Sequence, residues 1–113
     1  MELRVIAGDD KITQVALSGK LDVAGEQKIG DQFRDLLDAR KTSFIVEMSE
    51  VSYLASLGIR LLFAGAKSLA AHRRKLVVVN PQPMVQETLL SSGTAKVIPI
   101  VANVDEALKL LST

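Results

Sequence analysis

The sequence predicts one compact α/β domain, a mixed β-sheet of about five strands with about four helices packed against it. The chain has 113 residues, the length of a single domain, which we expect to span residues 1–113. Apolar residues make up 48% and charged residues 24%, as in a globular chain. Apolar positions first alternate with a period of two and later repeat with helical spacing, which predicts the order ββαβαβαβα.

The first two elements are predicted to form a β-hairpin. Leu3 and Val5 alternate with polar residues, and the alternation resumes over residues 12–17. Between the two runs, Gly8-Asp9-Asp10 has the residue types that favour turns.

Three short apolar runs, at residues 44–46, 76–79 and 97–100, predict the remaining strands. The first two are nearly continuous, as expected for central strands covered on both faces. The third contains Pro99, which cannot donate to a ladder, so we place it at an edge or at a strand end.

Four helices follow from apolar residues at helical spacing. Asn103 is expected to cap the last helix, and Pro83 to start the third. In the second helix, Leu57, Leu61 and Gly65 form a row beside the stripe that we expect to face the sheet. The predicted helices span residues 23–39, 56–70, 83–92 and 103–111, and the sheet-facing stripe of the second is Ile59, Leu62, Phe63, Ala66, Leu69 and Ala70.

The composition argues against several function classes. The chain has no cysteine and one histidine, and it lacks GxSxG and glycine-rich phosphate loops. We therefore expect no enzyme, no cofactor and no metal site. A net charge of +1 and 4% aromatic residues argue against nucleic-acid binding. The N-terminus has no signal-peptide pattern, and no apolar run is long enough to span a bilayer, so we expect a cytoplasmic protein without membrane insertion.

A basic cluster, HRRK at residues 72–75, lies where the second helix should end. Cations at this position complement the negative end of the helix dipole, which is the interpretation we favour. A phosphate-binding patch is the alternative.

Four segments of the chain resemble, in order and spacing, the motifs of the STAS domain family of bacterial anti-sigma factor antagonists. The first is similar to the family's L-[ST]-G-x-L-D and the third to its D-S-[ST]-G-[LI]. The segments are LSGKLD at 17–22, IVEMSEVSYL at 45–54, ASLGI at 55–59 and SSGTAKVI at 91–98.

This resemblance implies a function in partner switching. In the family, an anti-sigma factor that is also a serine-protein kinase binds the unphosphorylated antagonist, releases its sigma factor, and phosphorylates the antagonist to end the binding. The position that matches the phosphorylated serine is Ser56. The implied partner-binding residues are Asp22, Tyr53, Ser56, Leu57, Gly58, Arg60 and Leu61.

The chain departs from the family pattern at two positions, with Ala55 in place of the aspartate and Leu57 in place of a small polar residue. Ser56 is expected to cap the helix whether or not it is phosphorylated. One alternative is a non-phosphorylated STAS adaptor or scaffold subunit, for example of a lipid transport complex. The row formed by Leu57 and Leu61, if exposed, would also suit a weak homodimer.

Overall fold

A computed structural model describes residues 1–112 and confirms the predicted class and order of elements. The strands are β1 (Glu2–Gly8), β2 (Ile12–Leu21), β3 (Ser43–Leu54), β4 (Leu76–Val79) and β5 (Ile100–Val101). The helices are α1 (Val23–Arg40), α2 (Ser56–Ala70), α3 (Pro83–Ser91) and α4 (Val104–Leu111), with a 3₁₀ turn at Thr94–Lys96.

The five strands form one mixed sheet in the order β1-β2-β3-β4-β5. The hairpin strands β1 and β2 are antiparallel, whereas β2, β3, β4 and β5 run parallel to one another. Each parallel connection carries one helix, as expected for crossovers between parallel strands. The carboxyl ends of β2 and β3 consequently lie side by side, with Leu21 opposite Leu54.

The helices cover both faces of the sheet unequally. Buried residues of α1, α2 and α3 pack on the face that contains Phe44 and Val46. The opposite face, which contains Ile45 and Val77, is covered by α4 through Ala107. The alternation along β3 and β4 therefore supplies two apolar layers, which explains why these strands read as continuous apolar runs.

The bounds of three strands differ from the prediction. β2 extends to Leu21, four residues beyond the predicted run at 12–17. β3 extends to Leu54, eight residues beyond the predicted run, because residues 50, 51, 53 and 54 still pair with β2. β5 contains only Ile100–Val101, because the N–H groups of residues 97 and 98 donate back to the Thr94 carbonyl of the preceding 3₁₀ turn and not to a strand. The long β3 carries the chain directly into α2.

The predicted sheet-facing stripe of α2 is displaced around the helix. Leu61 is 4% exposed and Gly65 is buried, whereas Ala70 is exposed and Ile59 only half-buried. The cause is that α2 packs against α1 as well as the sheet: a Cβ on Gly65 would lie 3.0 Å from the Phe33 ring. A glycine does not count as an apolar residue in a periodicity pattern, although here Gly65 lies where α2 and α1 approach most closely.

Candidate functional site

The junction between β3 and α2 lies at the carboxyl end of the parallel strands, next to the junction between β2 and α1. The Ala55 N–H donates to the Leu21 carbonyl at 3.0 Å, which ties the two junctions together. Strand ends at this edge of a parallel sheet are where α/β domains most often bind ligands and partners. The N-termini of α1 and α2 are thus presented together.

Ser56 is the first residue of α2, and its side chain is exposed. Within residues 1–112, its hydroxyl has no hydrogen-bond partner. The expectation that Ser56 caps the helix is wrong, because the N-cap is Ala55, whose extended backbone (φ −104°, ψ 174°) precedes the first turn. Because Ser56 lies one residue inside the helix and is exposed, its hydroxyl caps no N–H group and is available to solvent.

The start of α2 has the electrostatic character of an anion-tolerant site. Its first intrahelical bond runs from the Ile59 N–H to the Ala55 carbonyl at 3.1 Å, so the preceding N–H groups point out of the helix end. The first turn consists of uncharged residues, and Arg60 is exposed one turn after Ser56 on the same side. A negative charge on Ser56 would therefore meet the positive end of the helix dipole.

Asp22 caps the neighbouring helix α1. Its Oδ1 accepts a hydrogen bond from the Gly25 N–H at 2.9 Å, and the side chain is half-buried. The family resemblance implied a partner-binding role for Asp22, and its capping role was not predicted. An aspartate directly before a helix is a recognised signal for an N-cap and would have predicted it.

Apolar side chains are exposed around Ser56. Tyr53 is 49% exposed, and it borders a small cleft of about 50 Å³ together with Met84 from α3. Val23, the first residue of α1, is 55% exposed, and Leu57 is half-exposed. We call the set formed by Val23, Tyr53, Ser56, Leu57, Arg60 and Met84 the junction surface.

Val23 and Met84 were not predicted as site residues. They join the surface because of topology, since α1 and α3 both begin at the carboxyl edge of the sheet. A single sequence offers no signal for this placement.

Two of the predicted partner-binding residues are contradicted as surface residues. Gly58 is buried, and a Cβ added there would lie 2.6 Å from Leu21 Cγ and 2.8 Å from Leu54 Cδ1. Leu61 is 4% exposed and belongs to the main core. Both residues are thus packed inside the fold, and the Leu57–Leu61 row proposed for a homodimer is not a surface feature.

The titratable groups with displaced pKa values lie outside the junction surface. Backbone N–H groups of Lys11 and Ile12 lower the pKa of Asp9 in the β1–β2 turn. The side chain of Asp31, and then that of Glu26, raises the pKa of Arg34 on α1.

Residues 1–112 contain no cluster of three or more histidine, cysteine, aspartate or glutamate side chains that could hold a metal ion. None of the helices in the same part of the chain has the length and apolar character needed to cross a membrane.

The chain belongs to the STAS domain family, whose model matches residues 4–107. BtrV of Bordetella bronchiseptica, whose name marks it as a candidate anti-sigma factor antagonist, is 26% identical over 98 residues. The match covers 87% of this chain and 84% of BtrV.

Solved structures share the fold at low sequence identity. The anti-sigma factor antagonist SpoIIAA in its unphosphorylated form has a TM-score of 0.82 at 19% identity, over 98% of this chain and 96% of that one. The phosphorylated form of Bacillus SpoIIAA has a TM-score of 0.73 at 19% identity, over 97% and 99%. The family indicated by the four motifs and the fold predicted from the apolar pattern are thus both confirmed.

Proposed function

We propose that this protein is an anti-sigma factor antagonist that binds an anti-sigma factor through the junction surface and is switched off by phosphorylation of Ser56. The observation that carries the proposal is an exposed serine, with a free hydroxyl, at a helix N-terminus surrounded by exposed apolar side chains. Membership of the STAS family supports it. So does the likeness to SpoIIAA, a protein solved in both unphosphorylated and phosphorylated forms.

The unphosphorylated surface suits a protein partner. Val23, Tyr53 and Leu57 offer apolar area, and aromatic side chains such as Tyr53 are among the commonest anchors of interfaces. The Ser56 hydroxyl is small and neutral, so a partner can cover it at little cost. Arg60 supplies a charge that favours an acidic group on the partner.

The partner, as a serine kinase, would transfer the terminal phosphoryl group of ATP to Ser56. The hydroxyl oxygen attacks the γ-phosphorus, ADP leaves, and the hydroxyl proton passes to a base of the kinase. Ala55 offers no carboxylate for this step, so the carboxylate that the family places directly before the serine has to be replaced by a group of the kinase.

The phosphate would act differently in the free and bound states. In the free protein the phosphate adds a charge of about −1.5 to −2 at the N-terminus of α2, where the helix N–H groups and Arg60 stabilise this charge. In the complex it would lie under an apolar partner surface. Burying a charge without a new partner costs about 3 kcal/mol or more, which lowers affinity at least about a hundredfold.

Calorimetric titration of the cognate anti-sigma factor tests the proposal. Ser56→Ala should bind like the unmodified protein, and Ser56→Asp should bind at least about tenfold more weakly, since one added charge reproduces part of the phosphate effect. Ser91→Asp is the matched control, because Ser91 is an exposed serine on α3 outside the junction surface. It should bind normally.

The second candidate function is an unswitched adaptor or scaffold, and Ala55 in place of the family aspartate favours it. Equal affinities for Ser56→Ala and Ser56→Asp would select the adaptor and reject the charge switch. A loss of binding with Ser91→Asp as large as that with Ser56→Asp would place the interface elsewhere.

A further inference from the structure

A second apolar feature lies at the other end of α2, away from Ser56. It is an open groove of about 600 Å³ between the C-terminal half of α2, the start of β4, and the segment that precedes β5. Its walls include the half-buried Phe63, the small side chains of Ala66 and Ala70, and the exposed Val97. The volume lies within the range of small-molecule sites.

Three cations line the same groove: Lys67 on α2, and Arg74 and Lys75 just before β4. Within residues 1–112 none of them forms an ion pair. Cations near the end of a helix complement its dipole, and this accounts for their place in the sequence. It does not account for an apolar cavity directly beside three unpaired positive charges.

The groove is apolar along its length and cationic toward the end of α2. Phe63 precedes Ala70 by seven residues, or about 10 Å along the helix, and Arg74 and Lys75 follow after the helix ends. A ligand that fits would therefore have a long apolar part and an anionic group at one end.

The walls offer few backbone groups to a ligand. The backbone of α2 is hydrogen-bonded internally, Pro99 has no N–H, and the Pro99 carbonyl already accepts from the Val78 N–H at 2.9 Å. A peptide brings a backbone that needs partners, which this groove does not provide. The polar recognition available comes from the three cationic side chains.

We propose that this groove binds a free fatty acid, that is, a single-chain amphiphile with an anionic head group. The acyl chain lies against Phe63, Ala66 and Ala70, and the carboxylate lies among Lys67, Arg74 and Lys75. The site is separate from the junction surface and involves neither Ser56 nor the anti-sigma factor.

Isothermal titration with sodium dodecanoate below its micelle concentration tests the proposal. We expect one molecule bound per chain. Decanoate, which is two methylenes shorter, should bind about 15-fold more weakly if both methylenes are buried, because each buried methylene contributes roughly fourfold. Dodecyltrimethylammonium, with the same chain and the opposite charge, should bind at least tenfold more weakly than dodecanoate.

Two pairs of variants locate the ligand. Ala70→Leu should abolish dodecanoate binding by filling the groove, whereas Ala71→Leu adds the same side chain at an exposed position outside it and should bind normally. Lys67→Gln should weaken binding roughly two- to fivefold, as for a partly exposed charge pair. Arg73→Gln removes a neighbouring charge that does not line the groove and should have no effect.

Several results would overturn the proposal. They are no heat of binding with dodecanoate, equal affinity for dodecyltrimethylammonium, or an effect of Ala71→Leu equal to that of Ala70→Leu. Sedimentation with phosphatidylglycerol vesicles in the absence of dodecanoate binding would mean that the cations contact a bilayer surface instead.

Discussion

The substitution Gly58→Ala gives the sharpest test of how α2 is seated at the junction. A Cβ at residue 58 would lie 2.6 Å from Leu21 Cγ and 2.8 Å from Leu54 Cδ1. Carbon atoms in contact normally lie about 3.5–4.0 Å apart, so the methyl group would intrude by roughly 1 Å. Leu21 is 0% and Leu54 5% exposed, which leaves neither side chain room to move aside.

The expected effect is a net loss of stability. Overpacking of this kind costs about 1–3 kcal/mol, and the rigid surroundings put it in the upper half of that range. The higher helix propensity of alanine returns at most about 1 kcal/mol. Gly58→Ala should therefore lower the free energy of unfolding by roughly 1–2 kcal/mol, or the Tm by about 4–8 °C.

Gly30→Ala is the matched control. A Cβ at residue 30 in α1 would meet the ends of two flexible side chains, Glu26 Oε1 at 2.5 Å and Arg34 Nη2 at 2.8 Å. Their ion pair is partly exposed and can rearrange at a cost below about 1 kcal/mol. Urea denaturation of both variants measures the difference, and we expect Gly30→Ala to be as stable as the wild type or slightly more so.

A Gly58→Ala variant as stable as Gly30→Ala would contradict the tight packing of Gly58 against Leu21 and Leu54. Normal stability with weakened binding to the anti-sigma factor would restore Gly58 as one of the partner-binding residues that the family resemblance implies. Lost stability with unchanged affinity per folded molecule would support the inward packing described above.

Three further substitutions test the assignments made for individual side chains. In urea titrations, Leu61→Ala should lower the free energy of unfolding by about 2–5 kcal/mol, because Leu61 is buried. Leu57 is half-exposed, so Leu57→Ala should lower it by less than about 1 kcal/mol. Equal losses for the two variants would contradict the burial of Leu61. Asp22→Ala should cost about 1 kcal/mol through the lost cap of α1 and Asp22→Asn much less, and a similar loss for both would mean that the charge rather than the cap matters. Because hydrogen bonds from the N–H groups of Lys11 and Ile12 hold the pKa of Asp9 below 3.8, its contribution to stability is present above that pH and is lost as the pH falls through the folded-state pKa. Asp9→Asn should therefore flatten the acid side of the stability profile, and an unchanged profile would contradict the role of these bonds.

The sequence was sufficient for the order of elements because the hairpin strands and the helices show apolar periods and the central strands are short, nearly continuous apolar runs. The hairpin turn at Asp9 and the cap at Asn103 are local features, and both form as predicted, with Asp9 Oδ1 accepting from the Lys11 N–H at 2.8 Å. Local chemistry of this kind acts within a few residues and needs no knowledge of packing.

The orientation of α2 could not be predicted in the same way. The stripe with the most apolar side chains was assigned to the sheet, but Gly58 and Gly65 show that the tightest contacts are made where there is no side chain. A helix that packs against both a sheet and another helix buries two adjacent rows of residues. The apolar pattern of a single sequence does not show which row faces the sheet and which faces the other helix.

The candidate site was predicted in part. The motif resemblance located Ser56, Tyr53 and Arg60, and all three are exposed. Val23 and Met84 come to the same edge from distant parts of the chain, which only the topology reveals. The groove beside Lys67 was missed because its walls come from α2, the start of β4 and the segment before β5.

The most direct test of the central claim is a binding measurement on stoichiometrically phosphorylated protein. The antagonist is incubated with its anti-sigma kinase, ATP and magnesium, the modified residue is mapped by peptide mass spectrometry, and the product is titrated against the kinase. We expect one phosphate on Ser56 and at least a hundredfold loss of affinity. A phosphate on another residue, or a complex that persists with Ser56 phosphorylated, would contradict it.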